Sequence, residues 1–86
     1  MGTFQVSNRW SDERLEAILS ETGDWSVNGR QGQVLCRAAS LRRAMDRAAE
    51  FAVSGAVVTA ICRMPSNDVI VFSEQIERLR KIIAVR

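Results

Sequence analysis

Residues 40–55 read SLRRAMDRAAEFAVSG, and the spacing of their apolar positions decides the fold class. At about 100° per residue, Leu41, Ala44, Met45, Ala48, Ala49, Phe51 and Ala52 gather on one broad side of a helix. Arg43, Asp46, Arg47, Glu50 and Ser54 fall on the other side, with Arg42 at the boundary. Ser40 precedes the first apolar position, where its hydroxyl can accept from a free amide of the first turn. Gly55 stands where a left-handed residue stops a helix. The four alanines on the apolar side let this helix approach a sheet or a second helix closely.

Both neighbours of this helix read as strand pairs. On the N-terminal side, DWSVNGRQGQVLCRA (24–38) alternates Trp25 and Val27 with polar residues, turns through Asn28-Gly29, and returns along QVLCRA. A second glycine, Gly32, argues for a loop of about four or five residues over a two-residue turn. On the C-terminal side, AVVTAICRM (56–64) is β-branched and unbroken, as expected of a central strand buried on both faces. PSND (65–68) turns the chain, and VIVF (69–72) returns as the partner strand.

A helix closes each end. WSDERLEAILSETG (10–23) carries Ser11 as cap, Asp12 and Glu13 at the positive end of the helix dipole, and Leu15, Ile18 and Leu19 as its apolar stripe. Trp10 before the cap and Leu15 four positions into the helix have the spacing of a hydrophobic staple. Ser73 is placed to cap EQIERLRKIIA (74–84), where Ile76, Leu79 and Ile83 form a narrow stripe. Glu74–Arg78 and Glu77–Lys81 are i,i+4 pairs in the favourable order. The end IIAVR (82–86) fits either a continuing helix or a short strand.

The expected order is α-β-β-α-β-β-α. It describes one small α+β domain over residues 1–86, with two β-hairpins forming a four-stranded sheet covered by the central helix. Residues 1–9, where Phe4 and Val6 alternate, fit a flexible arm or an edge strand. Eighty-six residues leave room for a single core. A chain of this size hides roughly 60–65% of its unfolded surface, so association with a second copy would add stability. An apolar content of 47% with one proline places the chain among globular sequences, outside the disordered class.

The net charge of +2 is unevenly spread. Residues 40–86 carry seven arginines and one lysine against five acids, whereas residues 1–39 carry four arginines against five acids. Arginine's planar fork suits phosphate and carboxylate. Codon bias in a GC-rich genome raises arginine, alanine and valine together and explains the same excess without a ligand. The longest uncharged run, FAVSGAVVTAIC (51–62), is broken by Gly55 and is too short to span a bilayer. The expectation is a cytoplasmic protein, not associated with membrane, that keeps its cysteines reduced.

Chemistry-bearing residues are few. Cys36 and Cys62 each precede an arginine, but neighbours on a strand point to opposite faces, and the sequence has no histidine to act as base. Both read as core residues, close enough for a disulfide only if their strands adjoin. Two separated cysteines fall short of a zinc site, and the carboxylates lie on helix faces beside arginines. NGRQG (28–32) is followed by a strand, so it lacks the helix of a phosphate-binding loop. No catalytic, cofactor or metal residue is assigned. The strand-strand-helix-strand-strand core recurs in small bacterial domains of differing roles, so architecture alone assigns no function.

Two functional expectations follow. The first is a non-enzymatic domain acting through protein contacts, including a homodimer, with Ile82, Ile83 and Val85 as the residues expected to be left exposed. The second is a nucleic-acid-binding accessory domain using Arg37, Arg42, Arg43 and Arg47 around the central helix. Against the second stand the i,i+3 pairs Arg43–Asp46 and Arg47–Glu50, which would neutralise the outer helix face, and the lack of an aromatic stacking platform.

Overall fold

The computed structural model describes residues 9–85 and places the elements in the expected order. They are α1 (Asp12–Ala17), β1 (Asp24–Asn28), β2 (Val34–Ala38), α2 (Leu41–Val53), β3 (Ala60–Met64), β4 (Ile70–Phe72) and α3 (Ser73–Val85). The four strands form one antiparallel sheet in the order β2-β1-β3-β4. Each hairpin stays intact, and α2 carries the chain across so that β3 pairs with the inner strand of the first hairpin. The other expectations for residues 1–8 lie outside the described residues. Arg9 itself makes an isolated parallel bridge to Ile70 on the edge strand β4.

The central helix is built as its periodicity requires. The Ser40 hydroxyl accepts from the Arg43 amide at 3.2 Å, and Gly55 takes a φ of 95° just past the last turn. Leu41, Ala44, Met45 and Ala48 are buried, whereas Ala52 is exposed and lines a groove with Val58 and Ile76. The loop between β1 and β2 has the expected five residues, but its positive φ angles fall at Gln31 (57°) and Gly32 (76°), not at Asn28-Gly29. Gly29 is needed for space. A Cβ there would meet the Val57 carbonyl oxygen at 3.1 Å and Leu35 Cδ2 at 3.3 Å.

Register sorts the strand residues onto two faces. Val27 stands opposite both Cys36 and Ile61, and Ile61 stands opposite Val71, so these share one face with Trp25. That face joins Leu15, Ile18 and Leu19, the buried positions of α2, and Ile76 and Leu79 of α3 in a single hydrophobic core. All three helices therefore lie on one side of the sheet. A β-bulge beside Val27 and Asn28 lets the consecutive residues Leu35 and Cys36 both touch this core. The opposite face carries Ser26, Cys62 and Ile70 in one cross-strand row and Asn28, Ala60 and Phe72 in another.

Four expectations are corrected. The helical part of α1 stops at Ala17, and Ile18 and Leu19 reach the core from the turn that follows. The run 56–64 forms an interior strand only from Ala60, and Val57 ahead of it is 42% exposed. Ser73 is the first residue of α3 rather than its cap, and the helix continues through Val85, which rules out the short terminal strand. The anticipated i,i+4 pairs on α3 give way to longer-range ones: Arg9 bonds Glu74 at 3.1 Å and Arg78 bonds Asp12 at 2.9 Å. No ion pair joins Glu77 and Lys81. Exposed pairs are worth at most about 1 kcal/mol, so the partner that the fold brings close wins.

One polar group is buried to hold the chain ends together. Gln75 is 2% exposed; its amide donates to the Trp10 carbonyl at 2.7 Å and accepts from the Phe72 amide at 3.3 Å. Gln75→Leu leaves both backbone groups unmet and is expected to cost about 1–3 kcal/mol. Urea unfolding checks this. A change within a few tenths of a kcal/mol would mean that water replaces the glutamine at no cost.

Candidate functional site

Two surfaces stand out once the core is placed. The first is the sheet face that bears no helix. Along β3 and β4 it is mostly apolar, with Cys62 and Ala60 buried in its centre and Met64, Ile70 and Phe72 half-buried around them. Along β1 and β2 it is polar, apart from Val34, which is 51% exposed. Ser26 donates to Asn28 Oδ1 at 2.8 Å, and the Asn28 amide donates to Cys62 Sγ at 3.6 Å. The charges on this face come in neutral pairs. Arg37 Nε bonds Asp24 at 3.0 Å, and the Arg9 guanidinium lies 4.5 Å from the Phe72 ring centre while bonding Glu74.

Neither cysteine is placed for nucleophilic chemistry. Cys36 lies on the helix-covered face and Cys62 on the open one, with β1 between their strands, so they cannot bridge. Burial pushes the Cys62 thiol up from its ordinary value, which suppresses the thiolate. Among the described residues, no three His, Cys, Asp or Glu side chains gather as metal ligands would. A pocket between α2 and α3, floored by Ala48, Ala49, Ala52 and Ile76, has a volume of about 130 Å³. That is below the roughly 300–1,000 Å³ of small-molecule sites. No helix among the described residues is long and apolar enough to cross a membrane.

The second surface is the basic end of the helical layer. Arg37, Arg43 and Arg47 line one groove with Ala38, Ala39 and Asp46. Arg42 and Arg43 line the next with Ser20 and Ser40, and Arg42 lines a third with Met45, Arg80 and Ile83. The four arginines singled out in the sequence thus come together. Their ion pairing differs: Arg37 pairs with Asp24 and Arg47 with Glu50, whereas the anticipated Arg43–Asp46 pair does not form. Arg80 was missed. It borders the apolar stripe of α3 in sequence and lines a groove with Arg42 only because the C-terminal half of α3 lies beside the start of α2.

The last turns of α3 place the other residues singled out. Ile83 packs against the core, Ile82 is 36% exposed and Val85 is 86% exposed. The indole rings serve a third arginine. Arg63 forks onto Asp68 at 3.1 and 2.7 Å, with its guanidinium 5.7 Å from the Trp10 ring centre and 5.9 Å from that of Trp25. Arg14 also stacks on Trp10, 3.7 Å from its ring centre.

These pairs set the pH response. The Arg63 fork and the Ser66 hydroxyl hold the Asp68 carboxyl well below the usual range. Arg78 does the same for Asp12, and Arg37 for Asp24, while the backbone amide and Arg9 lower Glu74. These carboxyls bind protons less readily folded than unfolded. Their contribution is therefore full above about pH 4.5 and is lost as pH falls through the lower folded values. Cys62 works at the other limit: its raised thiol keeps a proton that the unfolded chain gives up, so stability declines as pH rises past 9.0. With no histidine in the chain, the thermal midpoint is expected to be flat between about pH 5 and 8. Added salt should soften the acid limb. A slope inside the plateau would contradict this assignment.

Comparison of the chain with protein-family models, with curated proteins and with solved structures gives no match.

Proposed function

We propose that this chain is a small non-enzymatic binding module that acts through protein contacts, the first of them with a second copy of itself across the open face of its sheet. The observation that supports this reading is the placement of all three helices on one side. It leaves Val34, Met64, Ile70 and Phe72 on a face that none of the described helices covers. A second copy is the favoured occupant on charge grounds. The Asp24–Arg37 and Arg9–Glu74 pairs make the face neutral, so two identical faces meet without repulsion.

Area sets the strength. Three strands of five residues and one of three, at about 3.3 Å per residue and about 4.8 Å between strands, make a face of about 300 Å². Stable interfaces bury about 800 Å² on each partner, so the dimer is expected to be weak, with a Kd in the micromolar range or above. Sedimentation velocity and light scattering from about 5 to 500 μM read it directly. Val34→Glu changes an exposed position and should disperse the dimer while leaving the melting temperature in place. A monomer throughout this range overturns the reading. Dispersal by Val85→Glu with no effect of Val34→Glu would move the contact from the sheet face to the last turn of α3.

A further inference from the structure

The described arginines differ in what holds them: Arg14 stacks on Trp10, Arg30 is exposed in the β1–β2 loop, and the others divide by ion pairing. Arg9, Arg37, Arg47, Arg63 and Arg78 each lie within 4.0 Å of a carboxylate. Arg42, Arg43 and Arg80 form no such pair, although they come from two helices and line two grooves that share Arg42 and Asp46. Four arginines (42, 43, 47 and 80) share this end of the molecule with Asp46 and Glu50, and Glu77 lines a further groove with Arg80. Of these, Arg42, Arg43 and Arg80 are the ones that no carboxylate holds within 4.0 Å, and Asp46 lies beside them in both grooves.

We infer that Arg42, Arg43 and Arg80 bind the phosphodiester backbone of duplex nucleic acid, without reading its sequence. Guanidinium forks match phosphate oxygens, and three forks with no internal partner have nothing to give up on binding. The contact is made by side chains. The backbone amides at the start of α2 are already committed, Arg42 N to the Leu19 carbonyl at 3.0 Å and Arg43 N to the Ser40 hydroxyl at 3.2 Å. Base stacking plays no part, because no aromatic ring lines these grooves, and single strands gain much of their affinity from such rings. That favours a duplex, whose backbone is presented without exposed bases. The surface lies on the helical layer and carries net positive charge, so it is separate from the neutral sheet face and does not depend on self-association.

Fluorescence anisotropy of a short labelled duplex DNA tests the inference, with protein held below the concentration at which it self-associates. Three phosphate contacts predict a loss of affinity of about 40-fold between about 50 and 200 mM salt. Arg42→Gln/Arg43→Gln/Arg80→Gln should lower affinity at least tenfold at the lower salt while keeping the circular dichroism spectrum. Arg30→Gln removes an exposed arginine from the loop at the far end of the sheet and should change nothing. If the triple variant does not fold, the single variants Arg42→Gln and Arg80→Gln should each lower affinity several-fold. Four results overturn the inference: no binding by the intact protein at about 50 mM salt, binding that the arginine variants retain, equal loss with Arg30→Gln, or tighter binding of a single strand. Preferential binding of a poly-aspartate peptide also overturns it, and points to an acidic protein partner instead. None of these outcomes bears on whether the sheet face dimerises.

Discussion

Trp25→Ala is expected to lower the unfolding free energy by about 3–5 kcal/mol, the usual range for truncating a buried tryptophan. Domains of this length are stable by roughly 4–13 kcal/mol in all, so the variant gives up about a quarter of its stability or more. The size of the effect follows from where the ring lies. Trp25 is 1% exposed on the interior strand β1, stands opposite Ala38 on one side and Arg63 on the other, and shares the core face with Val27. Neither small Ala38 nor the tethered Arg63 fork can fill the space left behind. Gly23 belongs to the same arrangement, since a Cβ at that position would approach the indole Nε1 to 3.3 Å. Urea unfolding followed by circular dichroism measures the loss without relying on the tryptophan signal. The midpoint should fall with an unchanged slope. Trp25→Phe, which keeps most of the buried area, should cost clearly less. Equal losses for the two variants would mean that the indole edge, not its volume, holds β1 in place.

Leu15→Ala is expected to cost about 2–5 kcal/mol and to act first on α1. A helix of six residues has no stability of its own in water, where even good helix formers need about 12–15. It is held by one fully buried side chain, Leu15, with Ile18 and Leu19 behind it and the Arg78–Asp12 pair outside. The same segment reaches α2, because the Leu19 carbonyl accepts from the Arg42 amide at 3.0 Å. Native-state hydrogen exchange separates local from global loss. Residues 12–19 should lose protection before the strands do, with the Arg42 amide following them. Asp12→Asn keeps the shape of a half-buried side chain, removes one charge of its pair with Arg78, and should cost about 1 kcal/mol or less. If Leu15→Ala lowers protection evenly through the sheet, α1 is part of the cooperative unit and not a docked addition.

Much of the fold was legible in the order of residues because its signals are local. The 3.6-residue spacing in 41–53, the caps at Ser11 and Ser40, and the stop at Gly55 each involve groups within four positions of one another. The turn after β1 was half legible. Two glycines announced a longer loop, but which residues take positive φ depended on how closely Gly29 must pass Val57 and Leu35. Of the arginine cluster, the members on β2 and α2 could be listed from sequence. Of their pairing only Arg47–Glu50, within one helical turn, could be read from sequence, because an exposed ion pair is worth so little that proximity across the fold decides the others. Arg37 finds Asp24 on the neighbouring strand, whereas Arg43 leaves nearby Asp46 unpaired.

By itself the sequence determined the α+β class, the order of the seven elements, the two hairpins and the apolar side of the central helix, through periodicities and caps that act over a few residues. Tertiary structure decided the rest. The strand order β2-β1-β3-β4 depends on which edge of the first hairpin receives β3. The separation of Cys36 from Cys62 depends on a register in which Val27 and Ser26 point to opposite faces. The open sheet face and the meeting of Arg80 with Arg42 both follow from α3 settling beside α2 on one side of the sheet. These outcomes rest on contacts between residues far apart in the chain, where the hydrophobic effect rewards burial without specifying which apolar side meets which.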